Sequence, residues 1–494
     1  MTLQKEILMK LNLVTASVLS AALGLSTTVN AHGHNYSHGV DHDLDKMKMV
    51  LETNADIALA AYSDSVATAK MLRQAIADLR ANPSANTLAA AKKAWLVSRE
   101  PYGQTEVYRF RLSPIDSSNY QDEDGLEGDI NAWPLGEALI DYTVAGNDFD
   151  DDQLGVTAHE TPVNQGKAIT TANLGDNIIN TPSIKINEAL ISKTATAEDE
   201  HDVLAGYHAI EFLLWGQDLN QSGSADTQGT REQAVKTYGA SNIATGGQRP
   251  VSDFVSKATN DSADRRLTYL EVATDKLIAD LESVAKGWKK GNQNNYRSQF
   301  TTVNNIVEAK QKFAEILTGM GTLSEGELAG ERMQIALSSD SQEDEHSCFS
   351  DNTHRDIWLN AEGVSNSYYG QYAGYDSNLD GKDDAGTKVS GYGLNAYLAD
   401  IGFAKQTATL EKQLKITEDA YQAIDASARA GKPVDVMIMS PSEAIAKPMR
   451  DTIISLNKQS SEIAKIAKVM RLSSEVVDPE ASACDTTNPT QACD

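Results

Sequence analysis

The sequence predicts an all-α protein, built as two helical-bundle domains packed together and carrying long loops. Three observations support this reading. Apolar residues recur at three- to four-residue intervals through most of the chain, the period of an amphipathic helix. Almost nothing alternates with period two over the length of a strand. Finally, 494 residues amount to two or three domains of ~100–200 residues, each able to bury a core.

Charge narrows the choice of partners. With 43 Lys+Arg against 70 Asp+Glu the formal net charge is −27, and no basic stripe offsets it locally. Phosphate backbones and anionic lipid are repelled, which excludes nucleic acid and favours cations. After residue 31 no apolar run approaches the ~20 residues that cross a bilayer, so no membrane span is expected.

Residues 1–31 read as an export signal. Lys5 and Lys10 give a positive start, Leu11 to Leu25 a short apolar core, and Val29-Asn30-Ala31 the small residues a signal peptidase requires. Cleavage after Ala31 would leave a periplasmic or secreted protein. Residues 32–43 form a His-rich flexible tail, with His32, His34, His38 and His42 beside Asp41 and Asp43, a composition that takes up metal ions readily.

An N-terminal helical-bundle domain is expected over 44–248. Met47, Leu51, Ile57, Ala61, Val66, Leu72, Ile76 and Leu79 share one stripe of a long helix that Asn82-Pro83-Ser84 ends. A second helix is expected from about Asn86 through Trp95 toward Phe110, kinked at Pro101, so the two read as a helical hairpin. Residues 113–180 read as loops and short helices, and periodicity returns from Pro182 to Trp215. The Gly/Ser/Thr/Asn/Gln-rich stretch 220–252, punctuated by Gly246-Gly247-Gln248-Arg249-Pro250, reads as a linker.

A C-terminal helical-bundle domain is expected over 249–475. Helical spacing marks Asp264–Trp288, Val303–Met320, Glu325–Leu337, Leu394–Ala430 and Ser442–Met470. Residues 476–494 read as a polar tail. Of the three cysteines, Cys484 and Cys493 lie close enough in sequence to pair in an oxidising compartment, which leaves Cys348 free.

The sharpest chemical signal is GYHAIEFLLWGQD, residues 206–218. His208 and Glu211 are three apart, so a helix projects them from one face, and an imidazole and a carboxylate one turn apart are half of a first-row metal site. The alternative for such a pair is a hydrogen-bonded core histidine. A second cluster, EDEHSCFSDNTH, offers Glu345, His346, Asp351 and His354 for a site at a domain interface, or else an acidic turn in which Ser350 or Asp351 caps a helix starting near Thr353. The loop Asp376-Ser377-Asn378-Leu379-Asp380-Gly381 places Asp376, Asn378 and Asp380 as calcium ligands would be, with Asp384 following, but Thr387 stands where a bidentate Glu belongs. The competing reading is a hydrated turn.

The wider chain resembles the imelysin family, which includes iron-regulated protein A-like proteins and carries a peptidase label. The resemblance runs from about residue 44 to 475. It rests on WLVSREPYGQTEVYRF (95–110), INAWPL (130–135), GYHAIEFLLWGQD, GGQRPVSDFV (246–255), GERM (330–333) and QEDEHSCFSDNTH (342–354). It implies two helical-bundle domains, bacterial export, an association with iron acquisition, and a metal or ligand site at the Gly-x-His-x-x-Glu segment. His208, Glu211 and Gly206 match that motif, and Glu106 matches a carboxylate of transport-associated relatives. Gly103 stands where those relatives carry another carboxylate, and Asp116 is the nearby group that would complete an oxygen-rich site. Arg99 would join an interface site; the alternative for both Arg99 and Glu106 is polar contacts within the bundle.

No His-Glu-x-x-His occurs, so the helix-borne zinc-peptidase arrangement is absent. The leading function is an exported metal-binding protein of bacterial iron acquisition that holds iron or an iron complex near His208 and Glu211, with other envelope iron-uptake proteins as partners. The metal would be divalent or trivalent, iron first and zinc second. The alternatives are a metal-dependent peptidase, with Glu211 or Glu106 as general base, and a non-catalytic ligand-binding scaffold.

Overall fold

A computed structural model describes residues 42–116, 125–133, 135–142, 177–192, 203–216, 218, 246–339, 344–472 and 484–493, with the backbone of 161–163 and 167–169. The export signal, residues 32–41 of the tail and most of the 220–252 linker lie outside the described residues. The architecture is all-α, as the periodicity predicts. Among the described residues strands are limited to two short antiparallel pairs, β1 (Thr161–Val163) with β2 (Lys167–Ile169) and β3 (Gln371–Tyr372) with β4 (Val389–Ser390). Among the described residues no helix is long and apolar enough to cross a membrane.

The principal helices are α1 (Leu44–Ala81), α2 (Ala85–Gly103), α3 (Gly206–Trp215), α4 (Ser262–Gly287), α5 (Ile306–Thr322), α6 (Thr353–Tyr369), α7 (Ala404–Arg429) and α8 (Lys447–Val469). The α1 stripe read from sequence is the buried one: Met47, Leu51, Ile57, Ala61, Leu72, Ile76 and Leu79 are all buried, with Val66 half-buried. α1 starts at Asp43, whose carboxylate accepts the Asp45 and Lys46 amides. α2 starts at a Ser84/Thr87 capping box. α1 packs on both α2 and α4. One apolar cluster runs from Met47 to Met470, so helices on both sides of residue 249 share it. A smaller cluster joins residues between Leu328 and Leu456.

Three features differ from the periodicity reading. α2 stops at Gly103, two residues past Pro101, and Glu106–Tyr108 forms a separate 3₁₀ turn. The Thr105 hydroxyl and amide both turn back to the Tyr102 carbonyl, and Asn360 of α6 donates to the Gly103 carbonyl, so a local turn and one tertiary partner take the acceptors that a continuing helix would use. The segment after α5 continues as a π-helix, Leu323–Gln334, before a last α-turn, Ile335–Ser339. The C-terminal tail is anchored: Cys484 and Cys493 form the expected disulfide, and Thr486 is buried. At the other end His42, the first described residue of the His-rich tail, contacts the Tyr397 hydroxyl at 2.8 Å.

Candidate metal centre

The motif helix is set by a glycine. Gly206 opens α3 with φ +79°, and a Cβ there would fall 2.4 Å from the Ile130 carbonyl oxygen. Only glycine combines that left-handed backbone with so close an approach. The close approach lays the 129–133 segment on the start of α3 and brings the Trp133 ring to 6.4 Å from that of His208. At the other end, Gly247 sits against the Trp215 and Gly216 carbonyls, and its amide donates to the Phe349 carbonyl at 2.8 Å. The 344–352 segment is thereby fastened to the same helix.

His208 and Glu211 are fully buried, and His208 Nδ1 lies 3.0 Å from Glu211 Oε2. The other oxygen of Glu211 accepts from the Ser350 amide at 2.9 Å and its hydroxyl at 2.6 Å. Burial pushes the Glu211 carboxyl up to about 8 against those two hydrogen bonds. Burial, then the neighbouring His346 and Arg99, hold His208 well below the usual imidazole range. Two proton arrangements fit this contact. With Glu211 protonated, its Oε2–H donates to Nδ1 and the ring proton sits on Nε2; with Glu211 ionised, Nδ1–H donates and Nε2 presents a lone pair. His208 Nε2 is buried and, among the described residues, has no hydrogen-bond partner.

A second imidazole faces the first. The His346 and His208 rings are 4.7 Å apart between centroids at 77°, and half-buried Trp133 lies edge-on to His346 at 4.5 Å. Arg99 fixes the His346 tautomer. Its Nη1 donates to Asn131 Oδ1 at 2.5 Å, which turns the Asn131 amide so that Nδ2 donates to His346 Nε2 at 3.3 Å. The ring proton is therefore on Nδ1 and goes to Asp356 Oδ2 at 2.8 Å. Asp356 also accepts the Ser347 hydroxyl at 2.5 Å and Arg99 Nε and Nη2 at 3.2 and 3.1 Å. Despite burial, Arg99 and His346 hold its carboxyl far below the usual range, while burial and then Arg332 lower His346 to about 4.

Glu106 lies on the same side. Its Oε2 takes Arg332 Nη2 and Arg109 Nη1, both at 2.9 Å, whereas Oε1 is buried without a partner. Burial is outweighed by Arg332 and Arg109, which hold Glu106 down to about 2; His346 is near enough to add to that effect. Arg332 also packs over Trp133 at 5.1 Å and donates to Glu327 and Asn360. The guanidinium donors of Arg99 and Arg332 are thus committed to carboxylates and amides. What these side chains leave open are acceptors, His208 Nε2 and Glu106 Oε1, and acceptors fit a cation, although among the described residues only Asp218, Asp351 and Asp435 bring three ligand atoms within 4.8 Å of one another.

The Imelysin family model, of peptidase family M75, matches residues 58–468. The chain belongs to the imelysin family. Iron-regulated protein A of Synechococcus elongatus is 33% identical over 79 residues, which is 16% of this chain and 20% of that protein, so the chain spans about a fifth of that relative. The solved structure of a candidate iron-regulated protein A precursor from Parabacteroides distasonis covers 89% of this chain and 97% of its own, at 17% identity and a TM-score of 0.55, a likeness of fold. An Imelysin-like protein from Psychrobacter arcticum is 14% identical, with a TM-score of 0.47 over 87% of this chain and 95% of its own.

In this imelysin-family chain the remaining sequence candidates are distributed away from the histidine pair. Asp116 accepts the Phe110, Arg111 and Ser113 amides at 3.1, 3.2 and 2.8 Å and so shapes its own loop. Glu345 is buried next to His346 in sequence. Asp351 gathers with Asp218 and Asp435, ligand oxygens within 4.8 Å of one another, and each of the three also engages other groups. His354 Nδ1 donates to the Asp351 carbonyl, and its Nε2 faces Asp425 at 3.6 Å. Asn352, not Ser350 or Asp351, stands at the start of α6, and its side chain makes no capping bond. Ser350 is spent on Glu211 instead. In the 376–384 loop both Asp376 oxygens accept backbone amides, of Asn378, Leu379 and Gly381, and Asp384 accepts from Ser377 and Asn378.

Sequence reasoning assigned no role to Asn131, Trp133, Arg332 or Asp356, and offered Ser350 only as a helix cap. The first three lie in INAWPL and GERM, so the signal was present as motif without chemistry. Asp356 had none, being one acidic residue among many.

Proposed function

We propose that this imelysin-family protein binds a metal cation, iron first, at the buried His208/His346 pair. The observation that carries the reading is the unpartnered, buried Nε2 of His208 on a ring whose Nδ1 faces a carboxylate. His346 likewise turns its Nδ1 to a carboxylate, Asp356, while its Nε2 accepts from Asn131 Nδ2, a bond that a cation would have to displace. Metal-binding histidines characteristically give their other ring N–H to a carboxylate, which fixes the tautomer and strengthens the donor nitrogen. Imidazole donors suit first-row divalent ions, Fe(II) and Zn(II) among them. In this reading Glu211 acts through His208 and does not ligate.

Iron is put first because the relatives carry iron-regulated names; the N-terminal export signal adds an envelope setting and other iron-uptake proteins as partners. A purified protein lacking residues 32–41, titrated anaerobically with Fe(II) and separately with Zn(II), tests it. One tight site is expected, lost in His208→Ala and in His346→Ala while helix content is kept. Unchanged affinity and stoichiometry in both variants would refute the assignment.

A further inference from the structure

The disulfide-closed C-terminal loop grips both ends of the π-helix that carries Arg332. Thr486 donates to Glu325 Oε1 at 3.0 Å near the start of that helix and accepts Asn457 Nδ2 of α8 at 2.8 Å. Gln334, its last residue, is fully buried and donates to the carbonyls of Gln491 at 2.9 Å and Asn488 at 3.4 Å. Between these two grips, Glu327 and Arg332 reach inward to Arg109 and Glu106. A π-helix has poorer hydrogen bonds than an α-helix and usually spans a single turn. Twelve residues of it, Leu323–Gln334, need outside support.

We propose that the Cys484–Cys493 loop is a redox-dependent latch that holds this π-helix in register and thereby keeps Arg332 on Glu106. Without the bond, residues 484–493 lose their closed shape and their hold on Gln334 and Glu325. Return of the segment to α geometry then turns each following side chain by about 100° per residue of register, which withdraws Arg332. Closing the latch joins the two sulfurs and releases two protons and two electrons to a disulfide oxidant by thiol–disulfide exchange. Opening takes both back from a dithiol, which becomes the disulfide. Cys493 is half-buried, within reach of such a reagent. The device would assemble the site only after the chain enters an oxidising compartment. The inference does not need an ion to bind His208.

Hydrogen exchange read by mass spectrometry on the full chain, oxidised and under excess dithiothreitol, tests it. Amides of 323–334 should exchange about tenfold faster when reduced, and those of 106–109 should follow, while α1 is unaffected. Cys484→Ser/Cys493→Ser should reproduce this without reductant, and Gln334→Ala should reproduce part of it with the disulfide intact. If the double variant does not fold, reduction of the folded protein decides. Unchanged exchange across 323–334 on reduction, or a change confined to 484–493, would overturn the latch. Metal titration is a separate measurement, so its failure leaves this result standing.

Discussion

His346 and Asp356 share one proton geometry: Nδ1 lies 2.8 Å from Oδ2, and the other oxygen of the same carboxylate takes two donors of Arg99. One buried anion thus sets the imidazole tautomer and balances a guanidinium that packs 4.8 Å from the Tyr207 ring. The two duties separate by substitution. Asp356→Ala leaves Arg99 buried without a counter-charge and should cost about 3–5 kcal/mol in denaturant unfolding. Asp356→Asn keeps an acceptor for Arg99 and should cost less. It no longer enforces Nδ1–H, so cation affinity should fall about 10–100-fold. Equal stability losses with unchanged affinity would separate Asp356 from the site.

Gly103 marks where α2 and α6 touch. A Cβ there would stand 2.6 Å from Leu359 Cβ, and Asn360 binds the Gly103 carbonyl. Gly103→Ala should therefore destabilise by about 1–3 kcal/mol through overpacking, and Gly103→Glu by more. Pairing Gly103→Ala with Leu359→Gly, which removes the Cβ that Leu359→Ala would keep, should recover part of the loss. Additive losses in the double variant would show that the contact is not the cause. The same closeness explains why this chain has no carboxylate at 103.

Glu137 gives a pH signature. It is buried, its Oε2 has no hydrogen-bond partner, and burial raises its carboxyl from 4.5 to about 8. The folded state holds this proton more tightly than the unfolded chain. Its contribution is thus full below pH ~4.5, falls as pH rises toward ~8 and stays lost above, at up to about 1.4 kcal/mol per pH unit. Glu137→Gln keeps the neutral shape, so its melting temperature relative to the parent should climb between pH 5 and pH ~8.5. A difference independent of pH would mean that Glu137 is not held neutral.

What the sequence determined by itself is what neighbouring residues can fix. The stripe Met47, Leu51, Ile57, Ala61 is spaced by the helix, so its burial was legible without knowing the partner. The His208/Glu211 contact is legible for the same reason, because three residues of helix place the two side chains together. The Cys484–Cys493 pairing is likewise short-range.

The tertiary structure decided everything that depends on loop closure. Glu211 meets Ser350 across 139 residues, and Arg99 meets Asp356 across 257. No local spacing encodes either contact, since any acidic or hydroxyl residue would have satisfied the pattern. The end of α2 at Gly103 was lost to periodicity because its last carbonyls are taken by Thr105 and Asn360, and the π register of Leu323–Gln334 because its support comes from residues 484–493. A helix period reports which face is apolar. Where a helix stops, how tightly it winds and which imidazole faces which carboxylate are set by the distant groups that satisfy its buried polar atoms.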